Sequence, residues 1–196
     1  MCMKKLLIFI AAAILTAGSF SAGAQGRTDV NLYMGFMNAT YTSLDQAGDR
    51  HSHRDLYSIY EPYYTVTSGP SLTLDVNRRL LPWLGAGLQA NYSYMSGEKN
   101  YKIGNAPGSR FSQTMLAFLP QVKFFIPSPR HFRLYAKAAA GIHLNLGETI
   151  VGEPVAFAWD IVPIGFEWGG QFIYGTAEIC AGNVINGARI GIGFRF

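Results

Sequence analysis

The chain has 196 residues, 49% of them hydrophobic and only 14% charged, with 22 glycines, 13 phenylalanines, 11 tyrosines and a formal net charge of +4. That length bounds a single domain. The weak positive charge is scattered along the chain, which excludes a nucleic-acid footprint.

The N-terminus comes first. Lys4 and Lys5 form a short positive region, Leu6 to Leu15 is an apolar run, and Ala22-Gly23-Ala24 before Gln25 has the form of a small-residue cleavage site. Residues 1–24 read as a secretory signal peptide and 25–196 as the exported domain. The apolar run is too short to span a bilayer well as a retained helix. Cys2 stands away from the cleavage point, which argues against a lipoprotein anchor. Removing 24 of the 196 residues leaves 172, and the loss of two lysines takes the charge from +4 to +2. Cys180 is then alone, so it reads as a small strand residue with no disulfide partner. No apolar run in 25–196 is long enough for a transmembrane helix. Sparse charge with abundant Gly, Tyr and Phe favours strands and turns.

Eight strands are predicted. The first covers about Val30 to Thr40, with Val30, Leu32, Met34 and Phe36 on one face. The second covers Thr65 to Asn77. The third, Trp83 to Met95, sets Leu84, Ala86, Leu88, Ala90, Tyr92 and Tyr94 against Gly85, Gly87, Gln89, Asn91 and Ser93. The fourth runs from Phe111 to Ile126 and the fifth from Phe132 to Leu146. In the sixth, Val155 to Trp168, Asp160 and Glu167 share a face only if a bulge intervenes near Val162-Pro163. The seventh covers Gln171 to Ala181. The last, Ala188 to Phe196, alternates without a break: Ala188, Ile190, Ile192, Phe194 and Phe196 oppose Arg189, Gly191, Gly193 and Arg195. Period 2 means one apolar and one polar face. An apolar strand end left free invites aggregation; in a membrane barrel it meets lipid and closes the ring.

The connections alternate in length. Asn77 to Pro82, Pro127 to His131 and Gly169-Gly170 are short. Tyr41 to Tyr64 and Ser96 to Arg110 are long and polar, and Gly147 to Pro154 and Gly182 to Gly187 are intermediate. Aromatic residues collect at two levels. Tyr60, Tyr63, Tyr64, Tyr92 and Tyr94 belong to the expected outer rim. Trp83, Phe124, Phe125, Phe132, Trp168, Phe194 and Phe196 belong to the inner one.

The leader, the eight alternating segments and the terminal Arg195-Phe196 resemble the small outer-membrane β-barrel family of OmpA, OmpX and OmpW type, porin-like proteins of Gram-negative bacteria. The resemblance covers essentially the whole exported part. It implies an all-β fold, an eight-stranded antiparallel up-and-down transmembrane barrel in the bacterial outer membrane. It also implies that the barrel-assembly machinery reads Phe194 and Phe196.

If the apolar face meets lipid, the other face fills the interior. Asp75, Lys123, Arg133, Lys137, Asp160, Glu167, Glu178, Arg189 and Arg195 then share the lumen with Gln89, Gln121, Tyr135, Tyr174 and His143. Buried charges persist only when paired, and side chains nearly fill an eight-stranded barrel. The expectation is therefore an ion-pair network that plugs the lumen. Glu178 is expected to lie between Asp160 or Glu167 and Arg189 or Arg195.

Lipid-A-modifying barrels use a His beside a Ser and an acid near the outer rim. Here His143, Asn145 and Glu148 fall near one rim without a nearby Ser, so no nucleophile is in place and no catalytic residue is expected. His51-Ser52-His53, flanked by Asp49 and Asp55, reads as a solvated loop tip rather than a metal site. No cofactor is expected. Gly85-Ala86-Gly87 and Gly191-Ile192-Gly193 fall inside strands, where they make room for large lumen neighbours rather than a nucleotide.

The expected role is structural or surface-interacting. The long first loop, with His51, His53, Arg54, Tyr57, Tyr60 and Tyr63, is the candidate contact with a surface or envelope partner. Outer-membrane lipid is the expected partner of the barrel wall. The alternatives are a narrow channel for small or apolar solutes and a soluble exported ligand-binding barrel. The outward apolar faces of the third, fifth and last strands argue against the soluble form.

Overall fold

The computed structural model describes residues 27–35, 62–101, 109–127, 132–147 and 154–196. The expected signal peptide, residues 36–40 of the first predicted strand, His51, His53, Arg54, Tyr57, Tyr60 and Glu148 lie outside the described residues. Nine strand segments follow in chain order: β1 (Thr28–Gly35), β2 (Pro62–Ser68), β3 (Ser71–Leu81), β4 (Leu84–Tyr101), β5 (Ser109–Ile126), β6 (Phe132–Gly147), β7 (Val155–Gly169), β8 (Ile173–Gly182) and β9 (Gly187–Arg195). β2 and β3 both pair with β4, one above the other, and are separated only by Gly69-Pro70. They are two parts of one stave, because proline cannot donate to a ladder. The nine segments therefore make eight staves.

Every neighbouring pair is antiparallel, and β1 pairs with both β3 and β9. The ring is thus closed, and among the described residues each strand except β2, which pairs with β4 alone, finds a partner on both sides. At the seam, Thr28 N–H donates to Phe196 O at 3.0 Å and Phe196 N–H to Thr28 O at 2.9 Å. The stagger can be counted from the register. From Met34 one way, the partners are Leu72, Tyr92, Leu116 and Leu144; the other way they are Ile190, Ala177, Phe166 and Leu134. The two paths meet on β6 ten residues apart, at Leu144 and Leu134. With ~3.3 Å per residue and ~4.8 Å between strands, this stagger tilts the staves by about 40° and gives a backbone radius of about 8 Å. Such an interior is just wide enough for side chains.

The two faces are those of an inside-out protein. Leu32, Leu88, Ile142, Ile179, Ile190 and Ile192 are exposed, whereas Asp75, Gln89, Lys123, Glu178 and Arg189 are buried. The all-β, eight-stranded antiparallel barrel implied by the resemblance is the observed architecture. The register of β7 against β8 shifts between Ile161 and Ile164. This bulge around Val162-Pro163 lets Asp160 and Glu167 both point inward.

Three expectations are corrected. Ser96 to Tyr101 and Ser109-Arg110, expected as loop, are strand, because β4 runs on to Tyr101 and Lys99 pairs with Ser109. Tyr63 lies on β2, opposite Asn100, rather than in the first loop. Backbone pairing extends the sheet there without needing an apolar face. Phe125, grouped with the inner aromatic rim, is buried inside the barrel. Period 2 puts it on the same face as Lys123, opposite to Phe124. Trp83, Phe124, Phe132, Trp168, Phe194 and Phe196 do face outward at that end, and Trp83 stacks on Phe124 at 6.3 Å.

Candidate functional site

The inward residues form a filled column with distinct storeys. Glu178 on β8 is the hub of the middle one. Its carboxylate accepts hydrogen bonds from Tyr33 Oη at 2.9 Å and Tyr135 Oη at 2.6 Å. It also pairs with Lys137 Nζ at 3.0 Å and with Arg189 Nε. Lys137 Nζ reaches on to Asp75 at 2.9 Å, and Asp75 accepts from Gln121 Nε2 at 2.5 Å and from Asn77 Nδ2. On its other side, Arg189 Nη2 meets Asp160 Oδ2 at 2.9 Å, which accepts from Gln89 Nε2 at 2.9 Å. Three carboxylates thus surround two cations, with tyrosines and amides as further donors.

A second storey lies nearer the short turns. Glu167 pairs with Lys123 Nζ at 2.7 Å and Arg195 Nη2 at 2.7 Å, and Arg195 Nε donates to Asp29 Oδ1 at 2.7 Å. Tyr174 Oη donates to Asn31 Oδ1 at 2.6 Å. Lys123 Nζ sits 3.7 Å from the Tyr135 ring centroid, which joins the two storeys.

Register explains much of this. Glu178 and Arg189 are direct cross-strand partners, as are Asp29 and Arg195, and Arg133 and Glu167. Lys123 and Lys137 are also directly opposite, where like charges repel. They diverge, Lys123 to Glu167 and Lys137 to Asp75 and Glu178. Three inward tyrosines each face a glycine across the ladder: Tyr33 with Gly191, Tyr135 with Gly165, and Tyr174 with Gly193. A Cβ at any of these glycines would press on the facing ring. The missing side chains are the space into which the rings fold.

Toward the long loops the column turns apolar. Leu119, Ala139, Ala158, Val162 and Cys180 pack with Val184 and Ile185. The last two belong to the connection 183–186, expected as an ordinary loop; instead it folds into the barrel as a strap. Asn183 anchors it by imitating a strand residue. Trp159 N–H donates to Asn183 Oδ1 at 2.7 Å, and Asn183 Nδ2 donates to Phe157 O at 2.7 Å. Ile185 is fully buried and reaches β1, where a Cβ on Gly35 would lie 3.4 Å from its Cδ1. Beside the strap, Asn91, Ser93, Met115, His143 and Val184 help line a cavity of about 10 Å³, room for about one water. His143 Nε2 and Asn145 Oδ1 are 2.9 Å apart.

Of the nine charges placed in the lumen from sequence, eight meet an opposite charge within 3.0 Å. Arg133 is the exception, 3.8 Å from Glu167. Sequence reasoning missed Asp29, although extending the first strand by one residue puts it on the Asn31 and Tyr33 face. It also missed the strap, because adjacent Val184 and Ile185 in a polar connection have no periodicity to show direction. Phe194 faces outward and Phe196 lies at the seam.

No protein-family model matches the chain, and no curated protein matches it. Among solved structures, it is similar to the N-terminal β-barrel domain of Pseudomonas aeruginosa OprF. The identity is 14% and the TM-score 0.41, with 88% of this chain and 100% of that chain covered.

Proposed function

We propose that this protein is an outer-membrane barrel with a sealed lumen, serving a structural or surface-interaction role through its long-loop end. The filled lumen carries the reading. Ion-paired storeys occupy the middle and the short-turn end, and the Val184-Ile185 strap covers them from the other side. The outward apolar belt with aromatic rims suits a bilayer's hydrocarbon and interfaces. Lipid is then the partner of the wall, and the assembly machinery reads Phe194 and Phe196 during insertion. A rigid closed scaffold presents loops, and the loop with His51, His53, Arg54, Tyr57 and Tyr60 contacts a surface or envelope partner. No catalysis, cofactor or metal enters this reading. Membrane fractionation tests the location: recovery with the outer membrane supports it and recovery in the periplasm contradicts it. Liposome swelling tests the seal. A narrow porin-like channel would admit small solutes and swell the vesicles, whereas a sealed barrel leaves them unchanged.

A further inference from the structure

The charges at the short-turn mouth do not balance. Among the described inward residues, Arg79, Lys123, Arg133 and Arg195 bring four positive charges, against Asp29 and Glu167. Both acids are already engaged, Asp29 by Arg195 and Glu167 by Lys123 and Arg195 at 2.7 Å, which leaves Arg133 Nη1 only a long 3.8 Å approach to Glu167. Arg79 lies over the Phe125 ring, its Cζ 4.1 Å from the centroid. Its Nε and Nη2 are buried without a hydrogen-bond partner, and so is Nη1 of Arg133. Arg133 stands close enough to Arg79 and Arg195 to feel their repulsion. Its side chain is 21% exposed, so the mouth is open to solvent at this point.

Half-buried cations in excess favour a counter-ion, and buried donor atoms without a partner need an acceptor. Water would satisfy the donors and leave the charge. A carboxylate from the chain would satisfy both, but the two inward ones among the described residues at the mouth are taken. The fork of a guanidinium fits two oxygens of a phosphate group, and two guanidinia offer enough donors for a tetrahedral anion.

We propose that Arg79 and Arg133 form a binding site for a phosphate-class oxyanion at the short-turn mouth of the barrel. The source is either free phosphate or the headgroup of a phospholipid lying against the rim. The membrane reading above bears only on which source is present. The site itself belongs to the folded barrel in any medium.

The test uses the folded protein in non-ionic detergent. Its unfolding midpoint, read from heat-modifiability on a gel, is compared in inorganic phosphate and in chloride of equal ionic strength. Phosphate well above its Kd should raise the midpoint by about 4 °C, and R79Q/R133Q should abolish the rise. If the double variant does not fold, R133Q alone, at the partly exposed position, should reduce it. Native mass spectrometry separates the sources, because a phospholipid retained by the wild type and lost from R133Q identifies the headgroup. A protein that shows neither a phosphate-specific rise nor a retained lipid overturns the proposal. So does a rise or a lipid that survives both variants. These outcomes do not depend on fractionation or swelling, so this site and the sealed-barrel reading stand or fall separately.

Discussion

Glu178 concentrates the energetics of the lumen, since two tyrosines and two cations all converge on one carboxylate. Removing one partner from a buried ion cluster leaves uncompensated charge, at a cost of about 3–5 kcal/mol. Glu178→Ala should therefore lower the unfolding midpoint far more than Tyr33→Phe, which removes the hydrogen bond to Glu178, worth about 1 kcal/mol, and a long contact with Tyr135 Oη. Heat-modifiability in detergent measures both. Arg189→Ala together with Arg195→Ala should likewise destabilise the barrel, as four acids lose a partner; unchanged heat stability would remove the network as a source of stability. Gly165→Val tests the space rather than the charge. The new side chain collides with the Tyr135 ring, so the hub loses a donor although no charge changes. The Glu178–Arg189 pair was legible in the sequence because hairpin neighbours on one face must meet. The Lys137–Asp75 pair was not, because those residues come from non-adjacent staves, and only the curvature of a closed ring of small radius brings them together.

The staves themselves were legible wherever one face is apolar and outward and the other lines the lumen, since that contrast writes period 2 into the chain. Ala188 to Phe196 shows it most plainly. The reading stopped short where both faces leave that contrast. β4 beyond Met95 carries Ser96, Glu98, Lys99 and Asn100, yet its backbone pairs with β2 and β5 out to Tyr101. The strap 183–186 failed in the opposite way, being apolar without alternation. It is nevertheless the element that caps the column. Ile185→Asp should be destabilising, because an unpaired charge replaces a fully buried side chain. It should also open the outer part of the lumen to water, since an apolar constriction that excludes water becomes wettable. Increased hydrogen exchange at β9 and β1 near Gly35 would report this. Protection unchanged from wild type would mean that the strap does not seal.

At the scale of the whole molecule, the closed ring and the filled lumen are one design. Eight staves staggered by ten residues enclose a cylinder that side chains nearly fill. The paired charges occupy it without an unbalanced interior, except at the short-turn mouth, where the arginines are in excess. Folding should be cooperative, because β9 pairs with β1 only when all the intervening hairpins are in place. The folded barrel should therefore migrate faster than the heated chain on a gel, with no intermediate band. The claim that binds these features together is that the lumen is sealed. Recording the wild-type protein in a planar bilayer tests it most directly. A sealed lumen gives a flat trace with no steady single-channel openings, and openings appear only when the strap is breached, as in Ile185→Asp. Steady, reproducible openings from the wild type would contradict it.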